Sequence, residues 1–308
     1  MKIASLELTE AARLTDFYNE CFADEPYYYR VTPDAFESGV RFQYWLDEPH
    51  PELSEERLIV GEEAGQIVGF SHVAKRTSED GEFGTIRFFD YEPGRRAIAE
   101  ALLRESECHV RDLGLSEIWA CGGPRSVSYR FHRLGWGATF TNTMGHIRGL
   151  FGISGYQLSM SGQDQLASRS FMAAPLDDVG EPVLPDPGAE IRTEFWSGNG
   201  QRPNLKVHAY RKGQEIGIAD CWSMGERIGA SAAQDTFYGG GLAVTVEERR
   251  KGLGRYLMQR MHWEMQRKGY RTATLHTSIE NYRTHLLSTS LGYRVVDTTI
   301  TFVKTLNS

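Results

Sequence analysis

Nothing in the 308 residues approaches the ~20 consecutive apolar residues that a membrane-spanning helix needs. The opening MKIASLELTEAARL meets Glu7 and Glu10 before an apolar run can form, so neither a secretory leader nor a membrane anchor is expected. Positive charge is in deficit as well. The 34 Lys and Arg residues stand against 41 Asp and Glu, a formal net charge of -7. That leaves no broad basic surface to follow a phosphate backbone and argues against nucleic acid as a partner. Cysteine is sparse and scattered. Cys21, Cys108, Cys121 and Cys221 form no Cys-x-x-Cys pair, and no histidine lies at ligand spacing from them. A disulfide framework and a bound metal are therefore not expected, and the reducing cytoplasm is the expected setting.

What is present is ordinary for a globular protein, 40% hydrophobic and 24% charged, in a length that suits two domains. The stretch AAPLDDVGEPVLPDPGAEIR, residues 173–192, places four prolines among acids and has the composition of a linker. We therefore expect a first domain over residues 1–150, a connecting segment over 151–190 and a second domain over 191–308.

The two halves resemble each other. LIVGEEAGQIVGFSHVA (58–74) and KVHAYRKGQEIGIADCW (206–222) both read as strand, turn, strand, around Gly65 and Gly213, which are 148 residues apart. Gly114 and Gly269, each at the end of a helical pattern, are 155 apart, and Gly135 and Gly292 are 157 apart. Slowly drifting offsets are what a diverged duplication with small insertions leaves. Each half reads as helical segment, hairpin, strand, long helix, strand, shorter helix and closing strand, an α/β unit with a mixed sheet. In the second half QDTFYGGGLAVTV (234–246) is a strand interrupted by three glycines, the mark of a bulge or of a close approach to the backbone. A helix from about Gly252 to Lys268 follows, with Leu253, Tyr256, Leu257, Met261 and Met265 on one face, then the strand TATLHT, a helix from Asn281 to Leu291, and YRVVDTTITFVK as the closing strand.

Between the glycine strand and the long helix lies ERRKGLGR, residues 248–255, the densest positive run of the chain. A glycine-rich turn from strand to helix brings several backbone N–H groups and the positive end of the helix dipole onto an anion. A triphosphate loop would need Gly-Lys-Ser/Thr, whereas Gly254 is followed by Arg255 and Tyr256. A dinucleotide loop would need a third glycine and an acid at the next strand end.

LAVTVEERRKGLGRYLM followed by NYRTHLLSTSLGY resembles the acyl-CoA site of the GNAT superfamily of N-acyltransferases, and the duplication resembles its tandem members. The resemblance implies two tandem GNAT-like units, each a mixed, mainly antiparallel central sheet flanked by helices. It implies that Leu242, Ala243 and Val244 pair their backbone with the pantetheine arm of acetyl-CoA, the co-substrate. Arg250, Lys251, Gly252, Leu253, Gly254 and Arg255 would wrap the pyrophosphate, with Arg249 at the family's Arg or Gln position and Asn281 at the asparagine that bonds pantetheine. Val246 stands where proline is common.

Amine attack on a thioester needs removal of the ammonium proton, stabilisation of the carbonyl oxygen, for which a backbone N–H near Val244 is suited, and a proton for the leaving sulfur. The family often places a tyrosine seven residues after the asparagine; here Ser288 stands there, a poor acid of short reach, with water or Tyr282 as alternatives. His276, five before Asn281, is the candidate base, set against a packing role; His285, Asp235 and Tyr238 are its rivals. In the first half Arg96-x-x-Ala99-x-Ala101 keeps the arginine and loses the glycines, with Pro124 and Phe131 at the asparagine and tyrosine positions. That half is expected to be a degenerate copy without cofactor, its PYYYR (26–30) and RFQYWLDEPHPELSEE (41–56) either packing or touching the acceptor. The expected function is acetyl transfer from acetyl-CoA to the primary amine of a small molecule, by a monomer or homodimer. The alternatives are a non-catalytic acyl-CoA-binding or regulatory protein and a protein-directed acetyltransferase.

Overall fold

The computed structural model describes residues 2–41, 52–79, 81–120, 129, 140–159, 168–196, 202–228 and 230–306. Contacts divide the chain into two bodies, one of residues 1–170, 278–280 and 297–308, the other of 171–277 and 281–296.

In the first body β1 (Lys2–Leu6) precedes helices α1 (Thr15–Cys21) and α2 (Pro33–Arg41) and the long antiparallel strands β2 (Leu53–Glu63), β3 (Gln66–Ser78) and β4 (Gly81–Tyr91). Helix α3 (Arg96–Asp112) leads to β5 (Glu117–Ala120), which runs parallel to β4. The helix buries Ile98, Ala99, Leu102, Leu103 and Val110, an i, i+4 stripe, against the sheet. Then come β6 (Phe140–Thr141), α4 (Gly145–Ile153) and β7 (Gln157–Leu158).

The second body begins with β8 (Arg169–Pro175) and β9 (Glu190–Trp196), followed by β10 (Asn204–Arg211), β11 (Gln214–Ser223), α5 (Met224–Ile228) and β12 (Thr236–Val244). Helix α6 (Leu253–Arg267), β13 (Thr272–Ser278), α7 (Tyr282–Thr289) and β14 (Arg294–Ile300) follow, and β15 (Phe302–Thr305) ends the chain. The two hairpins of the sequence are real. Ala64 and Gly65, like Lys212 and Gly213, both have positive φ, the two-residue turn whose twist suits paired strands.

The sheets have seven and eight strands, and their order departs from the expected layout in one respect. YRVVDTTITFVK splits into β14 and β15, and β15 lies between β5 and β7 in the first sheet. In the second sheet the slot between β13 and β14 is filled by β8, from the region expected to be only a connector. The first sheet thus takes β15 from the C-terminal end of the chain, and the second takes β8 and, at its edge beside β14, β6. The helical segment expected at the start of the second half is also absent: the described residues between Arg169 and Asn204 form only β8 and β9 among turns, because Gly180, Pro182, Pro185, Pro187 and Gly188 interrupt any helical run. None of the described helices is long and apolar enough to cross a membrane.

The second core is built on Leu257, Met258, Met261 and Met265 of α6 packed on Leu205, Val207, Ala219, Cys221, Phe237 and Ala273. Inside it His262 meets the Tyr293 hydroxyl at 2.8 Å, and burial pushes the imidazole down to about 4. In the unfolded chain the same group protonates near 6.5. Between those values the unfolded state binds more protons, so stability contributed above pH 6.5 is lost as pH falls towards 4, by up to about 3 kcal/mol. Denaturant midpoints measured from pH 7.5 to 4.5 should fall less steeply for His262→Asn than for the wild type; parallel curves would remove His262 from the acid response.

Candidate functional site

The glycine strand opens the second sheet. β12 is paired with β13 only over Thr236–Gly239, ending at Gly239 opposite Leu275, whereas its pairing with β11 continues to Val244. From Gly240 onward the edge of β12 that faces β13 carries no ladder partner, and Gly241, Leu242 and Ala243 are exposed. The parting follows a bulge at which the β11 register shifts between Asp220 and Cys221. Gly240 is required there, because the Trp222 ring occupies the place of a Cβ.

The basic run turns this open edge into a helix N-terminus. After Val244 a turn of 3-10 helix over Val246–Glu248 leads to Arg249, whose Nε donates to the Val244 carbonyl at 3.0 Å. Arg249 therefore braces the end of the strand. Glu248 is buried and pairs with Arg211 and, at 3.4 Å, with Lys251. Gly252 caps α6 at φ 90°, a conformation that costs an L residue roughly 1–2 kcal/mol, and it offers no side chain to the helix. The first intrahelical bond runs from the Tyr256 N–H to the Gly252 carbonyl, so the amides of Leu253, Gly254 and Arg255 have no partner within the helix. Arg249, Arg250, Lys251 and Arg255 are all exposed around them, Arg255 reaching Ser290 Oγ at 2.8 Å. Charge, helix dipole and donor count together suit this turn to an anion.

On the other side of the gap, Asn281 Oδ1 accepts the Thr284 N–H at 3.2 Å and caps α7. Tyr282 and Leu286 on that helix are exposed apolar side chains, as are Leu242 and Val246 across from them in the sequence pattern. Ser288 is fully buried and its Oγ has no hydrogen-bond partner, while its carbonyl accepts from Leu291 and Tyr293. His276 is half-buried with its ring 4.7 Å from that of Phe171 and 5.9 Å from that of Tyr238, and Tyr238 in turn stacks at 6.2 Å on Trp222. Asp235 is engaged by Arg202 beyond the closed end of the strand pair. His285 is half-buried on α7.

Sequence reasoning missed Asp220. Its Oδ1 is buried without a hydrogen-bond partner and lies 3.0 Å from where a Cβ on Gly241 would stand. Burial pushes its carboxyl above the ordinary range, against weaker opposing pulls from the Gly241 N–H, Lys206 and His208. An aspartate within the apolar run IGIADCW was the available signal, since the residue is depleted in strand interiors.

In the first body the described pairing of β4 with β5 reaches Ile86 opposite Ala120, and the next residues of β4, Arg87, Phe88, Phe89, Asp90 and Tyr91, are all buried. Phe89 meets Phe151, Tyr91 meets His146, and Asp90 accepts from His146 at 2.8 Å. Arg87 pairs with Glu56 at 2.9 Å, Glu56 lies 3.0 Å from His72, and His72 meets the Tyr129 hydroxyl at 3.0 Å. Burial works to raise the Glu56 carboxyl, but His72 and Arg87 outweigh it and hold it at about 2. Arg96 pairs with Glu100, and Ala99 and Ala101 are buried. Tyr28 stacks on Phe22 in the core. Pro124 and Phe131 lie outside the described residues.

The second sheet is thus parted at a bulge, and its open strand leads into a basic, glycine-capped helix. Residues 170–293 match the model of the acetyltransferase (GNAT) family. Across its whole length the chain has the tandem GNAT fold: a tandem GNAT protein from the clavulanic acid biosynthesis pathway aligns at TM-score 0.71 and 13% identity over 100% of this chain and 99% of its own. The glucosamine N-acetyltransferase region of a fungal multi-domain GH3 beta-N-acetylglucosaminidase aligns at TM-score 0.67 and 12% identity, over 98% of this chain and 38% of that one. A GCN5-related N-acetyltransferase from Sphaerobacter thermophilus aligns at 0.57 and 14%, over 100% and 96%. Comparison with curated proteins finds no match. The GNAT fold is that of acyl-CoA-dependent acetyltransferases.

Proposed function

We propose that the second body transfers an acetyl group from acetyl-CoA to the primary amine of a small molecule. The observation that carries this reading is the unpaired edge Gly240–Val244 leading through one turn into the N-terminus of α6, whose glycine cap leaves the first amides without a side-chain acceptor. An extended amide-bearing arm adds to such an edge as a strand would, with Leu242, Ala243 and Val244 supplying the backbone groups. The amides of Gly252, Leu253, Gly254 and Arg255, with Arg250 and Lys251, hold the pyrophosphate, while Arg249 keeps the strand end in place. Asn281 sets the start of α7 beside the arm.

A backbone N–H of the open strand stabilises the charge that develops on the carbonyl oxygen. His276 and Tyr238 lie on the face of β12 and β13 away from α6 and orient the acceptor. Ser288, enclosed by the fold, is not assigned a proton, and the leaving sulfur is protonated by the amine or by water. The buried Ser288 in place of a tyrosine also favours one other reading, a protein that binds acyl-CoA without turnover.

Incubating the protein with acetyl-CoA and a panel of primary amines, and following free thiol alongside a binding titration of CoA, separates the two. Thiol release that requires an amine is the expected result. Tight binding with no release from any amine would establish the binding protein instead.

A further inference from the structure

The bulge that parts β12 from β13 also fixes where the reacting carbon must lie. The anion site is at the carboxyl end of β12, and an arm laid along Val244, Ala243, Leu242 and Gly241 from that site spans about 13 Å at 3.3 Å per residue. Its far end comes to the apex of the gap, where Gly239 rejoins Leu275. Asp220 is the strand partner of Gly241 at that apex. Its neighbours Ala219 and Cys221 point into the core beneath α6, so the Asp220 carboxylate is on the opposite face. Tyr238, Trp222 and His276 share that face, since Phe237, Ala273 and Leu275 between them are core residues under α6.

We propose that Asp220 binds the acceptor's ammonium group and takes its proton. This rests on the acetyl-transfer reading above. Gly241 puts no side chain against the carboxylate, where a Cβ would stand 3.0 Å from Oδ1. The Oδ1 atom is buried and, the pull of the Gly241 N–H on the carboxylate aside, has no hydrogen-bond partner, a costly arrangement unless a donor arrives with the substrate. The chemistry balances as follows. The ammonium gives one proton to the Asp220 carboxylate, the freed nitrogen pair forms the N–C bond to the thioester carbon, and the C–S bond breaks. The second nitrogen proton passes to the departing sulfur, leaving an amide and a free thiol. The carboxyl then returns its proton to solvent. A cationic primary amine is the acceptor class this requires, with its apolar body on the Trp222 and Tyr238 rings. The charged and titratable groups that act on the carboxylate are Lys206 and His208 on β10, with Cys221 next to it on β11; Tyr238 on β12 and His276 on β13 share its face of the sheet.

The test compares wild type, Asp220→Asn and His276→Ala by thiol release across pH 5 to 9. One acceptor set consists of ordinary primary amines, which are ammonium ions over most of this range; the other is methoxyamine, which is already neutral at pH 7.5. Asp220→Asn should lower turnover of ammonium acceptors by about 10²-fold or more, flatten the acid limb of the rate profile, lose much less with methoxyamine, and keep CoA affinity within about two-fold of wild type. His276→Ala should keep the acid limb. An Asp220→Asn enzyme within about three-fold of wild type, or equally impaired with both kinds of amine, overturns the inference and leaves acetyl transfer standing. Absence of thiol release from wild-type protein with bound acetyl-CoA overturns the transfer reading, and this inference with it.

Discussion

Gly254→Asp is expected to raise the dissociation constant for acetyl-CoA by more than about 10²-fold while leaving the thermal midpoint at or above that of the wild type. The two effects separate because Gly254 sits where the fold tolerates a side chain and the ligand does not. A Cβ there would lie 3.7 Å from Val244 and 3.8 Å from Leu242, ordinary contact distances, and its φ is not in the left-handed region. An acid in the first turn of α6 gains from the helix dipole by about 0.3–1 kcal/mol, and replacing a helical glycine removes an entropic cost of similar size. A carboxylate about 4 Å from a phosphate charge, by contrast, costs roughly 4 kcal/mol per unit charge at an effective dielectric of 20. Calorimetric titration of CoA and a thermal melt read the two quantities independently. Gly252→Ala makes the contrast: its φ of 90° places strain in the free protein, so it should lose stability as well as affinity. Unchanged affinity in Gly254→Asp would remove ERRKGLGR from the cofactor site.

The strand-turn-helix geometry of this segment was legible because its parts are local. The glycines, the positive run and the helix pattern after them fall within one strand-turn-helix segment, and a segment of that length carries its own geometry. The reading of individual side chains was coarser. The resemblance puts Arg249 at the family's Arg or Gln position among the cofactor-binding residues, and the structure adds that its Nε donates to the Val244 carbonyl. Asn281 does act as a helix cap, a role compatible with contact to the arm. Ser288 could not be recognised as enclosed, since burial on a short helix depends on what packs over it. Asp220 escaped notice because it carries no motif. Its meaning comes from standing opposite Gly241 at a register shift, and register across two strands is not written in either strand alone. In the first half, sequence comparison saw the missing glycines of RRAIAEAL, while the structure adds a second loss one strand earlier. Where the second half has Gly240, Gly241 and Leu242 after its last parallel pair, the first has the buried Arg87, Phe88 and Phe89 after its last described one.

The least legible feature, the exchange of closing strands, leads to the other large effect. Ending the chain at Thr301 is expected to abolish cooperative folding of the first body, although residues 302–308 are far from it in sequence. β15 is an interior strand of the seven-stranded sheet, bonded on one side to β5, with Phe302 opposite Ala120 and Thr305 opposite Glu117, and on the other to β7. Its loss opens two ladders, strips Phe302 from its ring contacts with Phe140 and Phe151, removes buried Leu306, and unpairs Lys304 from Glu107 at 2.7 Å. Truncating a buried Phe alone costs about 3–5 kcal/mol, against a total stability of roughly 5–15 kcal/mol for a typical domain, so removal of the whole strand exceeds what the first body can absorb. Periodicity could not reveal this, because FVKT alternates equally well whichever sheet receives it; only pairing partners distant in sequence decide. Hydrogen exchange should show β4 and β5 losing protection in the truncated chain, with Phe302→Ala in the full chain showing a smaller, graded loss. A supplied peptide of residues 302–308 should restore part of the protection, as strand addition to an open sheet edge does. Full protection of β5 in the truncated chain would mean that the first sheet closes without its borrowed strand.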